Sequence, residues 1–308
     1  MFSVEAKNLS VVFDNFTAVN KISLTVNPGE IFGFLGANGA GKTTTIRVLC
    51  GLLVPTQGEA LINGFPVNTA NEKTVKSHVG YMSQKFTLYD DLTVEENLDF
   101  TAALRKIDKE IYLARRRELL DFIGFNKPLN TMVKNLPGGI KQQMSLVVSL
   151  LHDPGIIFLD EPTAGVSPAS RSLFWDLIRK LSKAGKTVFV TSHYMDEVEQ
   201  CDRIALMRSG EIIALDSPSG LKRTTFPSPL FELTPKQPIE ADEIAQWRSS
   251  KVFELLTPYG MRYHATIGDN SRWEQFQKDN SGRLAVHQIN PSLEDVFIRL
   301  VEGKNNER

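Results

Sequence analysis

Cysteine is scarce in this 308-residue chain: Cys50 and Cys201 are the only two, too few for a disulfide framework, and a reducing compartment is expected. Cys50 closes an apolar helical run, where a free thiol acts as a small buried hydrophobe. Cys201 sits in a polar stretch with no partner pattern for a metal or for catalysis. Long hydrophobic runs are missing too. The longest candidate, residues 144–159, is interrupted by His152, Asp153 and Pro154 and falls short of the roughly 18 apolar residues a membrane span needs. The first twelve residues lack a basic segment followed by an apolar core, so no secretory leader is expected. Charge of one sign is also lacking. Lys and Arg number 35 against 36 Asp and Glu, a formal net charge of -1, which supplies no overall basic field for a nucleic-acid backbone. Nucleic acid is not an expected partner. The hydrophobic share of 42% and charged share of 23% suit a globular chain with one domain of ordinary size and one small one.

What the chain has in quantity is short apolar runs bounded by turn residues. Residues 22–26 and 31–35 flank Pro28-Gly29 and read as strand, turn, strand. Further short, β-rich runs occur at 79–82, 156–160, 187–191 and 204–207, as expected of parallel strands covered on both faces. Helical stretches such as 170–181 separate several of them, which predicts an α/β fold with a mainly parallel sheet. Between 93 and 151 strand signals vanish, and 95–104, 109–123 and 141–151 read as three helices of a helical insert. Arg115-Arg116-Arg117 lies on the middle one and reads as a solvated face. Beyond Leu221, Pro227, Pro229, Pro235 and Pro238 crowd a short span. After it the order strand, helix, strand, strand, helix, strand, helix fits a small split β-α-β domain with no catalytic constellation. The expected division is a domain at 1–222, with its helical subdomain at about 93–151, and a small α+β, ferredoxin-like domain at 223–308.

Gly36-Ala37-Asn38-Gly39-Ala40-Gly41-Lys42-Thr43 is a complete G-x-x-x-x-G-K-T loop between a strand and a helix. Its glycines let successive backbone N–H groups turn inward on an anion, and the following helix adds its positive end. Gly36, Asn38, Gly39, Ala40, Gly41, Lys42, Thr43 and the adjoining Thr44 are therefore candidate nucleotide contacts. Lys42 would reach the β- and γ-phosphates, and the Thr43 hydroxyl would bind Mg²⁺. Ile156-Ile157-Phe158-Leu159-Asp160-Glu161 is an apolar strand ending in two carboxylates. Asp160 suits a Mg²⁺ ligand through water, and Glu161, turned the other way, suits polarising the attacking water.

Through these elements roughly the first 220 residues resemble the ATP-binding cassette proteins of ABC transporters. In that likeness Gln84 of Gly80-Tyr81-Met82-Ser83-Gln84 stands as the Q-loop glutamine that senses metal and γ-phosphate. His193 of Thr191-Ser192-His193 stands as the switch histidine. Phe13 stands as the aromatic that stacks on adenine, with Phe16 as a substitute. Leu136-Pro137-Gly138-Gly139-Ile140-Lys141-Gln142-Gln143 resembles the signature usually reading Leu-Ser-Gly-Gly-Gln, through which one cassette covers the ATP of another. Pro137 departs from the serine, Gln143 from a common arginine and Ser167 from the usual aspartate, all on the side that serves a partner's nucleotide.

The resemblance implies a P-loop NTPase with a RecA-like core, a helical insert and antiparallel N-terminal strands. It implies ATP and Mg²⁺ as ligands and ATP hydrolysis as the activity. A second cassette is expected as partner, a homodimer being favoured over a heterodimer. A separate membrane permease would hold the protein peripherally on the cytoplasmic side of the cell membrane. The stretches Ala164-Gly165-Val166-Ser167-Pro168 and Ser192-His193-Tyr194-Met195-Asp196-Glu197, with the final Pro291-Ser292-Leu293-Glu294-Asp295-Val296-Phe297, resemble the multidrug and antibiotic export branch. Lys85-Phe86-Thr87-Leu88-Tyr89 would grip the permease. Cassette ATPases acting on chromosomes or ribosomes are the alternative. The gap from Gln84 to Leu136 is too short for the coiled coil of the first, and the second type usually carries two cassettes.

Overall fold

The computed structural model describes residues 1–84 and 88–303. The chain divides into two compact units, Met1–Pro218 and Ser219–Arg308.

The first unit contains strands β1 (Val4–Phe13), β2 (Phe16–Val26), β3 (Ile31–Leu35), β4 (Gln57–Ile62), β5 (Phe65–Pro66), β6 (Val79–Met82), β7 (Ile156–Asp160), β8 (Thr187–Ser192), β9 (Arg203–Arg208) and β10 (Glu211–Asp216). Its helices are α1 (Lys42–Leu49), α2 (Glu72–His78), α3 (Val94–Arg105), α4 (Lys109–Phe122), α5 (Gly138–Leu150), α6 (Pro168–Lys183) and the single turn α7 (Met195–Val198). A six-stranded sheet runs in the order β10-β9-β3-β8-β7-β6. Its pairs are parallel except β10 with β9. Every residue of β3, β7 and β8 is buried, which is why these strands read as unbroken apolar runs rather than alternating ones. Phe189 stands among Phe32, Phe34 and Phe158, with ring centroids 5.2, 5.6 and 5.2 Å away. A second, antiparallel sheet has the order β2-β1-β4-β5.

The runs on either side of Pro28-Gly29 are strands, but they do not pair. β2 belongs to the antiparallel sheet and β3 to the parallel one. Buried Glu30 sets this change of sheet: Oε2 accepts from the Asn27 amide at 2.6 Å, and Oε1 accepts from Arg203 Nε at 2.7 Å.

The insert is made of α3, α4 and α5. Thr93 and Glu96 form a reciprocal capping box at the start of α3. α5 begins at Gly138, three residues earlier than its apolar pattern suggests, with Pro137 as N-cap residue. Both signature glycines are therefore helical. Of the segment expected to grip a permease, Lys85, Phe86 and Thr87 lie outside the described residues. Leu88 is buried, not offered to a partner, because Asn97 anchors the adjacent backbone by donating to Tyr89 O and accepting from Tyr89 N. Tyr89 remains half exposed, edge-on to Phe100.

From the boundary onward come α8 (Pro218–Thr225), β11 (Leu230–Pro235), α9 (Ala241–Ser249), β12 (Phe253–Tyr259), β13 (Arg262–Ile267), α10 (Asn270–Asn280), β14 (Leu284–Ile289) and α11 (Leu293–Gly303). The order β12-β13-β11-β14 is antiparallel throughout, the arrangement of a split β-α-β fold. Trp247, Trp273 and Phe276 build its core with Leu233 and Phe253.

Candidate functional site

β3 ends at Leu35, and the chain curls through residues 36–41 before α1 begins. Two glycines there are steric requirements. A Cβ on Gly36 would lie 2.3 Å from the Met207 carbonyl oxygen, and one on Gly41, at φ +107, would lie 2.4 Å from that of Ala18. α1 has no side-chain cap and no acidic residue in its first turn. Its leading amides and the positive end of its dipole are left for an anion. Lys42 is buried. Its Nζ donates to the carbonyls of Gly36 at 2.7 Å and Ala37 at 3.2 Å, which holds the ammonium in the mouth of the loop.

β7 delivers the two carboxylates. Asp160 is 1% exposed. Its Oδ1 accepts from Thr191 Oγ1 at 2.7 Å and Thr43 Oγ1 at 3.2 Å, while its Oδ2 is buried without a hydrogen-bond partner among the described residues. Burial raises the Asp160 carboxyl above its ordinary pKa. The Thr191 and Thr43 hydroxyls oppose that rise, and the Glu161 charge adds to it.

Glu161 has φ +49, the left-handed region that non-glycine residues seldom occupy. Its amide is fixed by donating to Thr191 Oγ1 at 2.9 Å. The backbone reversal gives its carboxylate a separate set of partners. Oε1 lies 3.4 Å from Lys42 Nζ, and Oε2 accepts from Gln84 Nε2 at 3.1 Å. His193 Nδ1 is 3.2 Å from the same oxygen.

A cleft of about 430 Å³ opens in front of these groups. Phe13, Phe16, Ala18, Asn38, Gly39, Gly41, Lys42, Thr43, Thr44, Gln84 and Glu161 line it. Phe13 and Phe16 face each other across the β1–β2 turn and are both exposed, so either can present a ring face to a flat ligand. Gly36 and Ala40 belong to the loop without lining the cleft, and Asp160 stands behind Thr43. Pro137, Gly138 and Gly139 are not among the lining residues. They start α5, where Pro137 and Gly138 are exposed and no side chain caps the helix.

Three residues here escaped the sequence reading. Thr191 joins the two carboxylate positions through one hydroxyl. Buried Gln142 donates its amide to the Pro162 carbonyl, tying α5 to the loop after Glu161. Glu197, 1% exposed, accepts from Thr163 and Ser192. Ser167 in turn caps α6 by accepting from the Ser170 amide.

A loop with two sterically required glycines, a helix start free of acid and a buried ammonium all favour a polyanion, and the strand-end carboxylates beside them favour its metal and its hydrolysis. This combination defines the P-loop nucleoside triphosphatases. The family profile described as ABC transporter matches residues 19–164. The chain is 44% identical over 219 residues to the probable multidrug ABC transporter ATP-binding protein YbhF of Escherichia coli, a match covering 71% of this chain and 38% of that protein. The chain thus spans well under half of that relative's length. It is 33% identical over 306 residues to the linearmycin resistance ATP-binding protein LnrL of Bacillus subtilis, covering 96% of this chain and 97% of the relative. A solved ATP-binding subunit of an ABC transporter aligns with a TM-score of 0.65 at 25% identity, over 73% of this chain and 93% of that one. The chain belongs to the ATP-binding proteins of the ABC transporter family.

Proposed function

We propose that this chain hydrolyses ATP to drive a separate membrane permease, in the direction of export, and that a second cassette completes each ATP site. The observation carrying the hydrolytic reading is the convergence of Lys42, Gln84 and His193 on one buried carboxylate, Glu161. Phe13 stacks on the adenine, with Phe16 beside it. The loop amides and Lys42 hold the β- and γ-phosphates, and Thr44 extends the cradle. Glu161 accepts the proton of the attacking water, while His193 fixes that carboxylate and contacts the γ-phosphate. Thr43, Asp160 and Gln84 fit a divalent cation, since Asp160 keeps a buried oxygen with no partner among the described residues. Mg²⁺ there supplies positive charge to the phosphate oxygens.

The uncapped start of α5 supports the pairing of cassettes. Its Gly138 and Gly139 amides, with no acid in the first turn, suit the γ-phosphate held by another copy. Pro137 brings no hydroxyl to that contact, so amides and dipole carry it. Among the described residues no helix is long and apolar enough to cross a membrane, and the permease would hold the chain at the cytoplasmic face. The export direction rests on the multidrug and resistance proteins it is similar to.

In the purified chain, Glu161→Gln is expected to lower turnover by about 10²-fold or more while ATP still binds, and Lys42→Ala to abolish binding. Phosphate release and calorimetric titration measure the two. Undiminished turnover in Glu161→Gln would remove it as the base.

A further inference from the structure

Glu197 lies in the short turn α7, is 1% exposed and lines no part of the cleft. Its two oxygens nevertheless reach the segments that follow Glu161 and precede His193. Oε1 accepts from Thr163 Oγ1 at 2.5 Å, and Oε2 accepts from Ser192 Oγ at 2.7 Å. Thr163 is two residues beyond Glu161, and Ser192 immediately precedes His193. Both of these residues are buried, at 1% and 2% exposed. The third partner is Arg171 of α6, whose Nε lies 3.3 Å from Oε1. The Arg171 guanidinium also sits 4.0 Å above the Tyr194 ring, and that ring packs at 4.1 Å against the imidazole of His193.

We infer that Glu197 is a positioning residue for hydrolysis: it fastens the loop after Glu161 to the strand end before His193, and acts on the reaction through His193. The inference rests on the proposed roles of Glu161 and His193. A buried carboxylate costs desolvation that an apolar side chain of the same volume would avoid. What it supplies in exchange is direction. His193 has a side chain 35% exposed and a 3.2 Å approach to Glu161, so its aim depends on the backbone behind it. Ser192 is that backbone, and Glu197 sets its place relative to Thr163. Misplacement of a reacting group by about 1 Å can cost on the order of 10²-fold in rate.

The test is single-turnover release of labelled phosphate, with KM for ATP and thermal midpoint, on the full-length wild type, Glu197→Gln, Ser192→Ala, His193→Ala and the two double variants. Glu197→Gln is expected to lower kcat about tenfold to a hundredfold, with KM changed by less than about twofold. In the His193→Ala background the same change is expected to lower the residual rate by less than about twofold, because residues acting as one unit are not additive. Ser192→Ala leaves Glu197 in place, and the same pattern is expected from it should Glu197→Gln fold poorly. Wild-type kcat in either variant overturns the inference. So does an equal fold-loss with and without His193, which would make Glu197 a general part of the scaffold. A wild type without turnover that depends on Lys42 overturns the hydrolytic reading and this inference together, whereas the other two results remove only the inference.

Discussion

At Asp160 the site is arranged against the stability of the nucleotide-free protein. A carboxylate 1% exposed keeps one oxygen without a partner among the described residues, and burial raises its pKa. A raised folded-state pKa favours folding below the ordinary carboxyl value, and that contribution is lost as pH rises through the raised one. At neutral pH the ionised group therefore destabilises the empty protein. Asp160→Asn is expected to raise the nucleotide-free thermal midpoint by about 2–4 °C. It is also expected to abolish the extra stabilisation that Mg²⁺ adds to ATP, both read in one thermal-shift series. A lowered midpoint, or an intact Mg²⁺ increment, would contradict this reading. Residues 36–43 and the pair Asp160-Glu161 were legible in the sequence because their chemistry is carried by contiguous spacing. Thr191, Gln142 and Glu197 were not, because each matters through a group 20 to 34 positions away, and a lone buried Thr, Gln or Glu has no spacing of its own. The left-handed backbone of Glu161, whose amide donates to Thr191 Oγ1, carried no such sequence signal either.

Among the elements, the buried parallel strands and the helices of the insert were readable as apolar runs and helical periods. Boundaries were less so. The two glycines that open α5 have no side chains to carry a hydrophobic period, so its start was not marked by one. Exposure along β4 likewise leaves that strand without an unbroken apolar run. The Pro28-Gly29 turn was plain, but that it leads from one sheet to another depends on Glu30 and its distant partner Arg203. The end of α5 is tied to β6 through His152, whose Nε2 lies 3.0 Å from the Val79 carbonyl oxygen. Burial, aided by the charge of Arg105, lowers the His152 pKa from 6.5 to about 4. A depressed histidine pKa gives a contribution that is complete above the ordinary value and is lost as pH falls toward the folded one. Urea unfolding of the wild type is therefore expected to show stability falling between pH 6.5 and 4. His152→Gln, which can still donate to Val79, is expected to flatten that limb. An unchanged acid limb in the variant would show that His152 is not its source.

Across the whole molecule, the chemistry gathers in the first unit. Every described residue lining the cleft lies between Phe13 and Glu161, whereas the second unit has its own core around Trp247, Trp273 and Phe276. The start of α5 takes no part in lining the cleft of its own chain, yet it opens on two glycines with no acid in its first turn. A nucleotide closed over by a second copy accounts for both features at once. The most direct measurement is the solution mass of the full-length Glu161→Gln chain by sedimentation, with and without nucleotide. With Mg-ATP the mass is expected to double, with ADP it is expected to remain that of one chain, and adding Lys42→Ala is expected to abolish the doubling. A chain that binds ATP to saturation and stays single would contradict closure by a second copy.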